Sequence, residues 1–190
     1  IQSSLAAQLL GTQVTGGCDI NGDDVSDLII GSEARAVFVL FGRSSNGWNT
    51  AGSGVIWTSD LSSNSSKLGL MISPDAAVWS LNFGHQALKC VKDFNGDAIC
   101  DVLIGDESVD SNKGRAMLFY GSSLWSGEVV LNLSSCMILS TSIKSETPFL
   151  GRSVESVDLN VDGKDDLVIG AYSADKSRGF VHVVWGGRSR

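Results

Sequence analysis

The chain has 190 residues, of which 43% are hydrophobic and 18% charged, with a formal net charge of −7. That balance belongs to a folding chain and not a disordered one, and its sign argues against nucleic acid and anionic membrane as partners. Two prolines against 22 glycines suit many short strands joined by tight turns.

In chain order, the first signal is Leu10-Gly11, followed by the acidic loop DINGDDVSD (Asp19 to Asp27), whose last residue opens DLIIG. Next come AVFVLFG, ending at Phe41-Gly42, and GVIWTSD from Gly54. The order then repeats: Phe83-Gly84, ALKCVK, the loop from Asp93, DVLIG, RAMLFYG ending at Tyr120-Gly121, and GEVVLNLSS from Gly127. A third pass runs through Leu150-Gly151, RSVESV, the loop from Asp158, DLVIG and FVHVVWGG, with its aromatic-Gly pair at Trp185-Gly186. Consecutive β-type residues in DLIIG, DVLIG and DLVIG predict strands buried on both faces. Ile-Gly and aromatic-Gly are 16 positions apart in the second and third passes but 11 in the first, so the first intervening turn is five residues shorter. The first Asp positions are 74 and then 65 residues apart, room for four strands with generous loops. LAAQLL at the start is the best helical candidate and is too short to stand as one. The prediction is all-β, in repeated units of four antiparallel strands.

The three loops share Asp, Asn, Asp and Asp at relative positions 1, 3, 5 and 9, and nine of the 21 acidic residues are these aspartates. Oxygen donors at that density repel one another unless a hard cation sits between them, and Ca²⁺ is the usual occupant. Mg²⁺ would demand a stricter octahedron and retained waters. The expected donors of three Ca²⁺ sites are Asp19, Asn21, Asp23 and Asp27; Asp93, Asn95, Asp97 and Asp101; and Asp158, Asn160, Asp162 and Asp166. The position-7 carbonyls of Val25, Ile99 and Lys164 should complete each set, because a backbone donor needs no particular side chain. An EF-hand also begins D-x-N-x-D, but it needs a bidentate Glu at position 12 and flanking helices. Position 12 here is Ile30, Ile104 and Ile169.

An apolar or Phe-Gly pair, a D-x-N-x-D-x-x-x-D loop, D-[LV]-x-I-G and a closing aromatic-Gly strand together resemble the FG-GAP repeats of integrin α-subunit β-propellers. Similar repeats occur in glycosylphosphatidylinositol-specific phospholipase D. The resemblance covers about Leu10 to Gly187 and implies that each Ca²⁺ loop joins the first and second strands of a blade. "FG" is intact only at Phe83-Gly84, and "GAP" is replaced by Gly31-Ser32-Glu33, Gly105-Asp106-Glu107 and Gly170-Ala171-Tyr172. The expected architecture is a single propeller segment over 1–190, with repeats at approximately 10–82, 83–148 and 149–190, the last without its fourth strand. Three blades do not close a ring. Further blades of the same polypeptide or a second copy should therefore complete it, continuation being favoured because the chain opens without Met or a signal peptide.

Four cysteines, at 18, 90, 100 and 136, allow two disulfides in three connectivities, or free thiols. Cys90–Cys100 is the first pairing to test, since the two flank one loop. Asn64 and Asn132 head N-x-S/T sequons and are candidate glycosylation sites. His182 reads as a strand residue and not a catalyst. Trp57 and Trp185 read as packing residues; Trp48 and Trp125 are the better ligand candidates, although packing over a blade edge is the favoured role even for them. No nucleophile elbow, phosphate loop or Rossmann fingerprint is present. No apolar run reaches the ~20 residues of a membrane-spanning helix. The expected function is non-enzymatic: an extracellular or cell-surface adhesion, interaction or scaffolding module with a protein or glycan ligand. The alternatives are an accessory module of a secreted hydrolase and a lectin-like propeller.

Overall fold

The computed structural model describes residues 9–33, 35–44, 56, 58–61, 68–74, 82–125, 127–131, 136–140 and 148–187. Among these, strands β1 (Leu10–Cys18), β2 (Asp27–Ser32), β3 (Val37–Leu40) and β4 (Gly69–Pro74) pair antiparallel in sequence order as a first sheet. Strands β5 (Leu88–Val91), β6 (Asp101–Asp106) and β7 (Arg115–Phe119) form a second sheet, whose fourth member is β9 (Cys136–Ser140). Strand β8 (Gly127–Leu131) instead runs parallel to β4 and extends the first sheet to five strands. The third sheet is β10 (Leu150–Val157), β11 (Asp166–Ala171) and β12 (Phe180–Val184).

Period-two alternation explains why these runs stack face to face. Ile29, Val37 and Val39 enter one apolar cluster with Val102, Ile104, Met117 and Phe119 of the second sheet. Their chain neighbours Ile30, Phe38 and Leu40 turn to the opposite face, where Ile56 and Leu61 meet them. In the second sheet Leu103, Ala116 and Leu118 face the other way, onto Leu167, Ile169 and Ala171 of the third. The central strand of the second sheet is thus apolar on consecutive residues because it has a sheet on either side, and that of the first because Ile56 and Leu61 cover its outer face. The far face of β12 has no such cover among the described residues, and Val181 and Val183 are 63% and 41% exposed.

Glycine sets the spacing between sheets. A Cβ on Gly31 would stand 2.1 Å from the Gly84 carbonyl oxygen, and one on Gly105 would stand 2.0 Å from that of Gly151. The apolar-Gly turn that opens one sheet therefore lies directly on the Ile-Gly of the sheet before it. Val109–Asn112 and Ala174–Ser177 account for four of the five extra residues of the longer turns. Both coil through left-handed backbone, with φ of 50° and 58° at Asp110 and Ser111 and of 47° and 58° at Asp175 and Lys176. The first of these turns receives the third sheet, since Asn112 and Lys113 carbonyls accept the amides of Phe149 and Leu150 at 3.0 and 3.1 Å.

Three expectations change. The fourth strand of the first sheet is Gly69–Pro74, whereas GVIWTSD contributes buried Ile56 and a helical turn at Thr58–Leu61. The run from Gly127 is a strand but not the fourth of its own sheet, a place taken by Cys136–Ser140. Cys90 is bonded to Cys18, 72 positions away with Cα atoms 6.1 Å apart, and Cys100 and Cys136 are free thiols. Cys90 and Cys100 do flank one loop, but the neighbouring first strand β1 brings Cys18 closer to hand. Asn64, Asn132, Trp48 and Trp57 lie outside the described residues.

Candidate functional site

The three acidic loops each join the first and second strands of a sheet: β1 to β2, β5 to β6 and β10 to β11. Their backbones take one path, with left-handed residues at positions 4 and 6. These are Gly22 and Asp24, Gly96 and Ala98, and Val161 and Gly163, with φ between 59° and 87°. Glycine meets that demand at one of the two positions in every loop. In the third loop the other is Val161, a β-branched residue in a region such residues avoid.

Side chains organise each loop in the same way. The position-1 aspartate accepts amides from inside the turn: Asp19 Oδ1 from Gly22 at 2.7 Å, Asp93 Oδ1 from Gly96 at 2.6 Å, and Asp158 Oδ2 from Gly163 at 2.9 Å. The position-3 asparagine donates its Nδ2–H to the position-5 carboxylate at 3.0, 2.9 and 2.8 Å in loops one to three. The position-5 aspartate also accepts the amide of Val25, Ile99 or Lys164, at 3.0, 2.9 and 2.9 Å. These bonds hold two carboxylates and an amide oxygen over one turn.

The position-9 aspartates Asp27, Asp101 and Asp166 are buried, and each spends both oxygens as a staple. Asp101 accepts the amides of Phe94 and Gly121, both at 3.0 Å. Asp27 does the same with Ile20 (2.7 Å) and Gly42 (2.8 Å), and Asp166 with Leu159 and Gly186, both at 2.9 Å. The staple fastens the loop to the aromatic-Gly that ends the third strand. Those glycines are functional residues that the sequence reading noted only as landmarks. A Cβ at Gly42, Gly121 or Gly186 would stand 2.2, 2.1 or 2.4 Å from the position-8 carbonyl oxygen of its own loop.

Burial pushes Asp27 above the usual carboxylate range and lifts Asp101 to about 7, against the pull of its two amide partners. Asp23 and Asp19 add to the first shift, and Asp97 and Asp93 to the second. Burial acts on Asp93 in the same sense, but the Lys164 ammonium and the amides of Gly96 and Ala98 outweigh it and hold Asp93 low. Among the described residues no three carboxylate, imidazole or thiol groups are by themselves arranged to hold an ion. What the loops offer is mixed: aspartates at 1 and 5, the asparagine amide oxygen at 3, the carbonyl at 7 and the remaining lone pairs at 9. All are hard oxygen donors.

The loops also touch one another. The position-8 amide of Cys100 donates to the Asp19 carbonyl (2.9 Å), and that of Asp165 to the Asp93 carbonyl (3.2 Å). Ser122 and Gly187 donate likewise to Ile20 and Phe94, at 3.0 and 2.7 Å. The sites thus form a staircase along one edge of the stacked sheets. Trp185, expected to pack, is 41% exposed and lines a hollow with Asn160 and Asp162, whereas Trp125 packs against the core. His85 pairs with Glu33 at 3.4 Å, and His182 is exposed on β12, edge-on to Phe180 with ring centroids 4.7 Å apart.

Stacked antiparallel sheets, each opening with an acidic turn between its first two strands, define an all-β protein built from one recurring unit. Residues 150–184 match the family model of the FG-GAP repeat. Integrin alpha-M of Mus musculus is 36% identical over 87 residues, 45% of this chain and 7% of that protein. Integrin alpha-X of Mus musculus and of Homo sapiens are each 33% identical over 86 residues, again 45% of this chain and 7% of theirs. The chain thus matches a small part of the length of these relatives. The FG-GAP match thus lies on the third sheet, and the likeness to integrin alpha chains covers less than half of the chain.

Proposed function

We propose that this chain is a calcium-stabilised set of FG-GAP β-propeller blades, without catalytic activity of its own, serving adhesion or protein interaction at a cell surface or outside the cell. The observation that carries the reading is the recurrence of one hydrogen-bonded turn, with the same donor types, at the same place in each sheet. Asp, Asn, Asp and a carbonyl in that order suit a Ca²⁺ ion better than any softer metal. Burial is the main cause of the upward shifts of Asp27 and Asp101, and a bound ion would offset the smaller part that comes from neighbouring carboxylates. Its role is structural: to pin the hairpin between the first and second strands.

The repeats run approximately over 10–82, 83–148 and 149–190, and further blades would complete the ring. Two features favour an oxidising, calcium-rich setting: the Cys18–Cys90 bond and the likeness to integrin alpha chains. Asn64 and Asn132 would then be open to glycosylation.

Thermal unfolding with calcium or with excess chelator tests the reading. One site filled at 100 times its Kd adds about 2.7 kcal/mol, which for a chain of this size is roughly 5–10 °C. Identical curves under the two conditions would remove the structural role of the metal.

A further inference from the structure

The three loops share a frame but not a charge environment. In each seam the position-7 side chain of one loop lies over the turn of the loop before it. Ile99 covers the first loop, its Cδ1 3.4 Å from where a Cβ on Gly22 would be. Lys164 covers the second in the same way, its Cε 3.4 Å from where a Cβ on Gly96 would be. The stems are equivalent and the ends are not. Lys164 Nζ donates to Asp93 Oδ2 at 2.7 Å, while Asp93 Oδ2 also takes the Ala98 amide at 3.2 Å. The corresponding Oδ2 of Asp19 takes the Asp24 amide at 2.6 Å, and the side chain over that loop is an isoleucine, which has no charge to bring. At the third loop the position-4 residue Val161 is 87% exposed. Into the middle loop, therefore, a neighbouring sheet delivers a cation of its own.

We propose that Lys164 is a built-in competitor for the middle calcium site, so that Asp93 is shared between the ammonium of the third sheet and the divalent ion. The proposal rests on the calcium reading of the loops. Two consequences of opposite sign follow. With calcium present, an ammonium within a few ångströms repels the ion and engages one of its donors, so the middle site binds more weakly than the other two. Without calcium, the same ammonium compensates Asp93 and holds the second loop in shape. The middle loop is then the least dependent on metal for its order. Because Asp165, the residue after Lys164, bonds the Asp93 carbonyl and the Lys92 amide, at 3.2 and 3.0 Å, calcium entry there is coupled to the seam between the second and third sheets.

Lys164→Met keeps the stem that covers Gly96 and removes only the charge. Calorimetric titration of the full chain with calcium chloride should show two tight steps and one weaker by about tenfold, a like charge near the ion outweighing what an exposed pair gains. In Lys164→Met the weak step should tighten about tenfold and join the others. Asp97→Asn in the wild-type background should abolish the weak step and leave the tight pair, which assigns it to the middle loop. In chelator, Lys164→Met should melt below the wild type, a loss that a merely bulky residue would not combine with tighter binding. Three equal steps in the wild type, or a weak step that Lys164→Met leaves in place, overturns the competitor role while the calcium reading stands. No heat of binding at all removes both.

Discussion

The seam between the first and second sheets and the seam between the second and third share a backbone and differ in chemistry. Both have glycine against a carbonyl, at 2.1 and 2.0 Å from a notional Cβ, and both tie position 8 of one loop to position 1 of the loop before it. The first is then closed by a disulfide, the isoleucine over its loop and a cluster containing Phe41, Phe83 and Phe119. The second is ionic at its margins: Lys164 with Asp93, Lys89 with Glu155 and Arg152 with Glu107. The repeat therefore specifies the approach of main chain to main chain. Side chains around it are free to differ, and the difference should set how each seam responds to reductant and salt.

The largest effect should come from the shared part. Gly31→Val and Gly105→Val each drive a side chain into backbone that cannot yield, and each should cost about 3 kcal/mol or more, at or beyond the upper end of overpacking. Urea unfolding of the two variants should give similar losses. A benign result at either glycine would show that the two seams are not built alike.

Next in size is the covalent asymmetry. Replacing Cys18 and Cys90 by serine should cost about 2–5 kcal/mol, most simply by freeing the unfolded chain. Reductant should lower the wild-type midpoint toward that of the variant and leave the variant unmoved. Cys100 and Cys136, whose thiols burial pushes up, should react slowly with a thiol reagent while the protein is folded.

The loops themselves can be set against one another. Val161→Gly should stabilise the protein by about 1 kcal/mol, because a left-handed conformation costs an L residue roughly that much. Substituting alanine for Gly22 or Gly96, at the same position of the other loops, should act in the opposite direction.

Titration sharpens the contrast in another way. Asp101 is raised from 3.8 to about 7 in the folded, metal-free protein, so it binds a proton that the unfolded chain has released. Its contribution to stability is fully present below about pH 3.8 and is lost as the pH rises through about 7. In chelator the urea midpoint should therefore fall between about pH 4 and pH 7, and Asp101→Asn should flatten that slope. The lowered carboxyls of Asp93 and Glu155 act below that window, their stabilisation fading as the solution becomes more acidic.

The smallest change is expected at the ionic margin. Lys89→Met removes an exposed pair and should cost about 0.2–1 kcal/mol in dilute buffer and nothing measurable in ~1 M salt. The first seam, which carries the disulfide and the His85–Glu33 contact in place of lysine and arginine pairs, should depend less on salt.

Much of this was legible in order along the chain. Alternation of apolar residues, the Asp-Asn-Asp-Asp spacing and the recurring glycine pairs are local signals, and they marked the first three strands of each unit and the turn between the first two. Fourth strands were misplaced because GVIWTSD and GEVVLNLSS have the composition of strands, and composition does not say which edge a strand will join. The staple from position 9 to Gly42, Gly121 or Gly186 was visible only as an acid and a glycine 15 or 20 residues apart. No local rule connects the two.

By itself, then, the order of residues determined which turns would gather carboxylates, where glycine had to stand and that the whole would be β. Only the stacking of sheets decided that Cys90 would meet Cys18, that Lys164 would reach Asp93 and that Trp185 would stay partly in solvent while Trp125 packed inward. The reason is one of range. Backbone dihedrals and side-chain alternation act over a few residues, whereas charge, sulfur and aromatic rings take their partners from whatever the third dimension brings within a few ångströms.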